Sequence, residues 1–316
     1  MQTRRTFMKS TAMAAVAASA GQALFAKGKS DDSHISYPDD GDGLFFKISL
    51  AEWSLNRKIR GGELDNLDFP AYAKEKFDIH AVEYVDQFFP SADKEYAKEL
   101  LKRTEDIGVK NVLVMIDTAG SLGLSNEERR MEAVEKHYQW VECAHILGCH
   151  SIRVNARGDR GAPAEEVAYH TTRSLRTLSQ FAADYGINVI VENHGGWSSR
   201  ASWLVDVIHN TGMINCGVLP DFGNFIIDRS EGGEKYDLYL GVKELMPLAK
   251  GVSAKSHNFK ENGDEADKDY YRLMQIVKDA GYRGYVGIEY EGRELEPDEG
   301  IMATKKLLIK AGEAVT

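Results

Sequence analysis

The stretch Val189-Ile-Val-Glu-Asn-His-Gly-Gly runs from apolar residues straight into Glu192, Asn193 and His194. A charged group leaving a core is costly unless something pairs with it. The same change, from a β-rich run to a polar residue, recurs along the chain. It produces Glu52-Trp53-Ser54, Glu83 with Asp86, Asp117, Arg153 with Asn155, Asp221 with Asn224, Lys255 with His257, and Glu289 with Glu291. Carboxylates gathered in one place suit proton abstraction and delivery. Guanidinium, amide and indole groups beside them suit hydroxyl recognition and ring stacking. Whether these residues meet depends on the elements that carry them.

The runs that precede them read as strands at 45–50, 81–85, 111–117, 151–155, 188–192, 216–221, 251–255 and 285–290. Between them, 3.6-residue periodicity marks helices, most clearly at 94–106, 126–147, 165–185, 202–210, 269–280 and 299–311. Glycine stands where a helix C-cap belongs at Gly108, Gly148, Gly186, Gly212, Gly251 and Gly281. Repeated about eight times, this order predicts an α/β fold, a single-domain (β/α)8 TIM barrel over residues 44–316. An open doubly wound sheet would carry a Gly-x-Gly-x-x-Gly turn after its first strand, and the sequence has none there. In a barrel the C-terminal strand ends share one mouth, so the polar residues named above converge.

Residues 1–26 carry Thr3-Arg-Arg-Thr-Phe-Met-Lys and then an alanine-rich run, which reads as a twin-arginine signal peptide. The run is too short and too rich in alanine to be a stable membrane anchor. The expected location is therefore periplasmic or secreted. Residues 27–43 are polar and glycine-rich and read as a linker. The formal charge is −10, and losing Arg4, Arg5 and Lys9 with the signal takes it to −13. That balance argues against nucleic acid as a partner. Cys143, Cys149 and Cys216 read as small buried residues, because Cys143, His145, Cys149 and His150 match no common zinc spacing.

Four segments, VIVENHGG, GVLPDFGNF, GVSAKSHNF and GYVGIEYEG, resemble strands 5 to 8 of the sugar phosphate isomerase/epimerase family. That family belongs to the xylose isomerase-like TIM-barrel superfamily, with ketose 3-epimerases and endonuclease-IV-type nucleases. The resemblance runs from about Phe46 to the C-terminus. It implies one divalent metal held by Glu, Asp, His and Glu at the ends of strands 5, 6, 7 and 8. Glu192, Asp221 and Glu289 match the first, second and fourth. Three carboxylates at one mouth would repel without a cation or protons. Oxygen-rich coordination with one imidazole suits Mn2+ or Mg2+, with Co2+ and Zn2+ as further candidates. A metal chelating the carbonyl and hydroxyl of a ketose acidifies the carbon-bound proton between them and stabilises the enediolate. Glu192 and Glu289 would flank the substrate, one removing a proton and the other delivering one. The same chemistry can expel a leaving group from a 3-keto-glycoside.

The third ligand departs from the family. Its strand 7 pattern, hydrophobic-His-hydrophobic-Lys, laid on Val252-Ser-Ala-Lys255, puts Ser253 at the histidine position and keeps Lys255. His257 lies about 13 Å beyond Ser253 on an extended strand. It reaches the metal only if the strand ends early and folds back; otherwise it is a loop histidine that touches substrate or solvent. Asn224 stands where relatives often carry histidine. The metal is therefore expected to be held by Glu192, Asp221, His257 and Glu289, or else weakly, differently or not at all. Without it, Lys255 becomes the electrostatic partner of the enolate. Substrate contacts are expected from Trp53, Glu83, Arg153, Asn155, His194, Trp197 and Asn224, the tryptophans serving as sugar platforms or as caps on the helices.

The combined expectation is an exported, metal-assisted isomerase or epimerase acting on a small carbohydrate. Lyase action on 3-keto-glycosides and a non-catalytic sugar-binding barrel are the alternatives. An unphosphorylated sugar fits best, because the chain is acidic and has no Gly-rich phosphate loop at the mouth. A nuclease would need further metal histidines and a basic face, and neither is visible.

Overall fold

The computed structural model describes residues 43–316. The twin-arginine segment, and the expected linker up to residue 42, lie outside the described residues. Eight strands form one parallel sheet: β1 (Lys47–Ala51), β2 (Ala81–Val85), β3 (Lys110–Met115), β4 (Ser151–Val154), β5 (Asn188–Glu192), β6 (Cys216–Leu219), β7 (Val252–Ser256) and β8 (Tyr285–Tyr290). Each expected strand is present, with ends displaced by no more than two residues. The paired order is β6-β5-β4-β3-β2-β1-β8-β7. Between β6 and β7 the sheet curls shut through two isolated parallel bridges, Val218 to Ala249 and Asp221 to Ser253. There the Ser253 N–H donates to Pro220 O at 2.9 Å, and the Phe222 N–H donates to Ser253 O at 3.0 Å.

The helices among the described residues are α1 (Asn56–Arg60), α2 (Phe69–Phe77), α3 (Lys94–Ile107), α4 (Glu127–Ile146), α5 (Ala164–Ala183), α6 (Ala201–Thr211), α7 (Leu238–Leu245), α8 (Tyr270–Asp279) and α9 (Pro297–Val315). Their ends follow local chemistry. Asp93 caps α3 by accepting from the backbone N–H groups of Glu95 and Tyr96, and Gly108 ends it in the left-handed conformation. Asn126, Asp237 and Asp269 cap α4, α7 and α8 in the same way. The clearest helical periodicity in the sequence covers neither the five-residue α1 nor α2 and α7. The last two are short, at nine and eight residues, so their apolar pattern spans barely two turns.

Strand alternation sorts the core into two shells. Val189 and Val191 belong to the apolar layer between sheet and helices, as do Val114, Ile152, Val252 and Ile288. Each such side chain contributes about 1.5–3 kcal/mol by leaving water. The intervening residues face the barrel axis. Gly251, expected as a helix cap, is not among the left-handed glycines. Its missing side chain makes room instead: a Cβ there would lie 2.7 Å from Leu219 Cδ1, with Leu113 and Ile190 methyl groups at 3.7 and 3.8 Å. Leucine and isoleucine thus fill the barrel floor, and the polar residues lie above it. The three cysteines are free and buried, as expected. Among the described residues, no helix is long and apolar enough to cross a membrane.

Candidate active site at the barrel mouth

Glu192 ends β5 and Glu289 lies near the end of β8, while Asp221 follows β6 by two residues. Lys255 and Glu289 are direct partners in the β7–β8 ladder. The bridge between Asp221 and Ser253 then brings the β6 end onto β7. Barrel closure and site assembly are therefore the same contact. One carboxylate oxygen from each of Glu192, Asp221 and Glu289 lies within 4.8 Å of the other two, and all three residues are buried.

The carboxylates are held by a partly shared set of partners. Asp221 Oδ1 accepts from the Gly223 and Asn224 N–H groups, both at 2.8 Å. The Ser253 hydroxyl lies 2.7 Å from Asp221 Oδ2 and 2.8 Å from Glu289 Oε2. One hydroxyl proton cannot serve two carboxylates, so a further proton or cation belongs between them. Glu192 Oε1 accepts from Asn224 Nδ2 at 2.9 Å. Arg153 Nε is 2.9 Å from Glu192 Oε2 but off the N–H axis, an ion pair without an aligned hydrogen bond. Burial pushes the Glu289 carboxyl up to about 8, against the pull of Lys255. Burial also raises Asp221. For Glu192, burial acts upward, but Arg153, His194 and Lys255 outweigh it and hold the group below its ordinary value.

Lys255 Nζ lies 3.4 Å from Glu289 Oε1, 3.4 Å from Glu291 Oε2 and 3.7 Å from Asp221 Oδ2. Burial works against its charge, but Asp221, Glu289 and Glu291 hold the ammonium well above its ordinary value. Glu291 Oε1 accepts from the Trp53 indole at 2.5 Å. Trp53 stacks on Phe88 with centroids 6.0 Å apart, and the Arg60 guanidinium sits 4.9 Å from the indole.

His257 stands outside the carboxylate cluster. β7 runs straight on to Ser256, so the folded-back path that would bring the ring to a metal is not taken. Instead its backbone N–H donates to Glu265 Oε1 at 3.2 Å, and Lys268 Nζ donates to its Nδ1 at 3.2 Å. Its Nε2 lies 3.9 Å from Glu291 Oε2. His257, expected as the third ligand or else as a loop histidine, thus sits at the rim apart from the three carboxylates; burial and Lys268 lower its pKa.

On the β3–β5 side, Arg153 Nη1 and Asn155 Nδ2 both donate to Asp117 Oδ1, at 2.6 and 2.8 Å. Burial opposes the charge of Asp117, but Arg153 holds the carboxyl well below its usual range. Glu83, expected at the substrate, lies buried in the barrel interior, where Ser49 donates to its Oε1 at 2.5 Å and its Oε2 has no hydrogen-bond partner. Burial pushes it up to about 7. Arg157 Nη2 lies 3.0 Å from His194 Nδ1. Trp197 donates to Ala162 O at 3.1 Å, tying the turn after β5 to the loop after β4. Asp117 and Glu291, expected at the mouth, prove to be the ion-pair partners of Arg153 and Lys255, whereas Ser253 and Ser49 were not expected as donors. The one available signal was parity, since Ser253 and Lys255 alternate onto the same face of β7.

These residues fit a divalent cation. Asp117, Glu192, Asp221, Glu289 and Glu291 outnumber Arg153 and Lys255, and the donors nearest one another are carboxylate and hydroxyl oxygens.

Among solved structures, the chain is similar to an L-ribulose 3-epimerase (13% identity, 85% of this chain and 95% of that one, TM-score 0.66). It is also similar to the IOLI protein with a binding zinc atom (16% identity, 86% and 99%, TM-score 0.66). A third is the 3-keto-D-glucoside 4-epimerase of E. coli (17% identity, 84% and 99%, TM-score 0.61). At these identities the likeness concerns the fold. A search of curated proteins finds no match. The family model for the xylose isomerase-like TIM barrel matches residues 71–311, most of the chain. The eight-stranded parallel barrel and this match together show that the chain belongs to the xylose isomerase-like TIM barrel family.

Proposed function

We propose that this protein is an exported sugar isomerase or epimerase that moves a carbon-bound proton on a small, unphosphorylated keto or hydroxy sugar. The observation that carries the reading is the meeting of Glu192, Asp221 and Glu289, from three strands, within 4.8 Å at the barrel mouth. A divalent cation bound by these carboxylates would supply Lewis acidity toward a carbonyl and its neighbouring hydroxyl. The protein groups do the rest. Glu192 and Glu289, carried by β5 and β8, flank the substrate, one accepting the proton and the other delivering one. Asn224 orients Glu192, and Ser253 with Lys255 orients Glu289. The likeness to epimerases of ketoses and keto-glucosides is in keeping with this chemistry.

The absence of phosphate from the substrate is supported by charge. Arg153 is matched by Asp117 and Glu192, and Lys255 by Asp221, Glu289 and Glu291. Neither is spare for a second anion. Export rests on Arg4 and Arg5 in their twin-arginine setting. Elimination from a 3-keto-glycoside is a second reading, favoured by Lys255, a buried cation facing the site whether or not a metal is bound.

The test is a panel of ketoses and 3-keto-glycosides incubated in deuterium oxide with purified protein. Deuterium uptake without bond cleavage supports the isomerase or epimerase reading, and release of the aglycone supports the lyase. Sugar binding with neither event, or exchange that survives in both Glu192→Gln and Glu289→Gln, would overturn the proton-transfer role.

A further inference from the structure

The donors around the carboxylate cluster bear on which cation it prefers. The side chains paired with Glu192, Asp221 and Glu289 are Arg153, Asn224, Ser253 and Lys255. Both histidines of the mouth are engaged elsewhere. Lys268 Nζ lies 3.2 Å from His257 Nδ1, and Arg157 Nη2 lies 3.0 Å from His194 Nδ1. Lysine and arginine only donate, so in each imidazole a lone pair is already committed. The atom standing between Asp221 Oδ2 and Glu289 Oε2 is the Ser253 hydroxyl oxygen.

We infer that Ser253 completes an all-oxygen donor set with Glu192, Asp221 and Glu289, and that this tunes the centre toward hard cations such as Mn2+ and Mg2+. The inference rests on the metal-assisted reading above. Affinities of one site rise from Mn2+ toward Zn2+ whatever the ligands, so the preference shows in the ratio of the two. An imidazole steepens that ratio, because nitrogen suits Zn2+ better than it suits Mn2+. An oxygen set keeps it shallow. The Ser253 hydroxyl also lies within hydrogen-bond distance of both carboxylates, which sets their spacing before any ion arrives.

The test uses the purified protein with Mn2+ alone and Zn2+ alone. Pulsed electron paramagnetic resonance of the Mn2+-loaded protein is expected to show no coupling to a directly bound imidazole nitrogen. Such coupling, abolished in His257→Gln or His194→Gln, would overturn the inference. By calorimetry, Ser253→His is expected to tighten Zn2+ about ten-fold more than Mn2+. Ser253→Ala, a smaller change that covers the case where histidine does not fit, is expected to weaken Mn2+ several-fold. Mn2+ affinity unmoved by Ser253→Ala would remove Ser253 from the donor set while leaving the metal reading intact. Failure of the unsubstituted protein to bind either ion would remove the metal reading and this inference together.

Discussion

The indole of Trp53, just past the first strand, donates to Glu291, just past the last, at 2.5 Å. The contact spans the seam between β1 and β8, and the other oxygen of Glu291 faces Lys255 at 3.4 Å. An aromatic side chain at the rim thereby fixes the carboxylate that helps to hold the buried ammonium in place. Trp53→Phe keeps the stacking on Phe88 and removes only the donor. It should cost about 1–2 kcal/mol in urea unfolding, and lower turnover more than it raises KM. A KM effect alone would make Trp53 a simple substrate platform.

Arg153 neutralises Asp117 and Glu192 from the middle of the barrel. Arg153→Met preserves much of the side-chain volume and leaves both acids without their cation. The expected loss is about 3–5 kcal/mol of stability at neutral pH. Part of that loss should return when Asp117→Asn is added, because one uncompensated charge is then gone. Equilibrium unfolding of the single and double variants measures the coupling.

Glu52 provides the clearest pH prediction. It accepts from Asn66 Nδ2 at 2.7 Å and from the Val85 N–H at 3.0 Å, yet burial pushes its carboxyl from 4.5 up to about 8. The folded state therefore binds the proton more tightly than the unfolded state does. The resulting stability is complete below about pH 4.5 and is lost as pH rises through about 8. Glu52→Gln should flatten the fall in stability across that window, by an amount on the order of a few kcal/mol. Urea midpoints at several pH values check it, and parallel curves for the two proteins would refute the assignment.

Gly287 leaves space for Glu83. A Cβ at Gly287 would lie 2.5 Å from Glu83 Oε1 and 2.7 Å from Oε2. Gly287→Ala should destabilise by about 1–3 kcal/mol through overpacking. In a Glu83→Ala background the same substitution should be nearly neutral. Additive costs would mean that the clash is relieved elsewhere.

Much of this protein is legible in its sequence. The strands are short β-rich runs bounded by glycine, and their alternation places Glu192 inward once Val189 and Val191 face the helices. That the charged residues sit at C-terminal strand ends follows from the same pattern, as does the family, through segments such as Glu-Asn-His-Gly-Gly. Helices α2 and α7 are too brief to show a period.

Other features come from contacts between residues far apart in the chain, and those only the tertiary structure decides. Parity along β7 puts Ser253, Lys255 and His257 on one side, but His257 leaves the cluster because Glu265 and Lys268, in the following loop, take hold of it. Ser253 meets Asp221 and Glu289 because the barrel closes at that bridge, across sequence separations of 32 and 36 residues. Glu83, expected at the substrate, lies in the barrel interior, where Gly287, on β8, leaves the space its side chain needs. Residue type and strand position set which groups face the axis. Which of them touch is set by closure of the ring and by the loops beyond it, where local pattern carries no information.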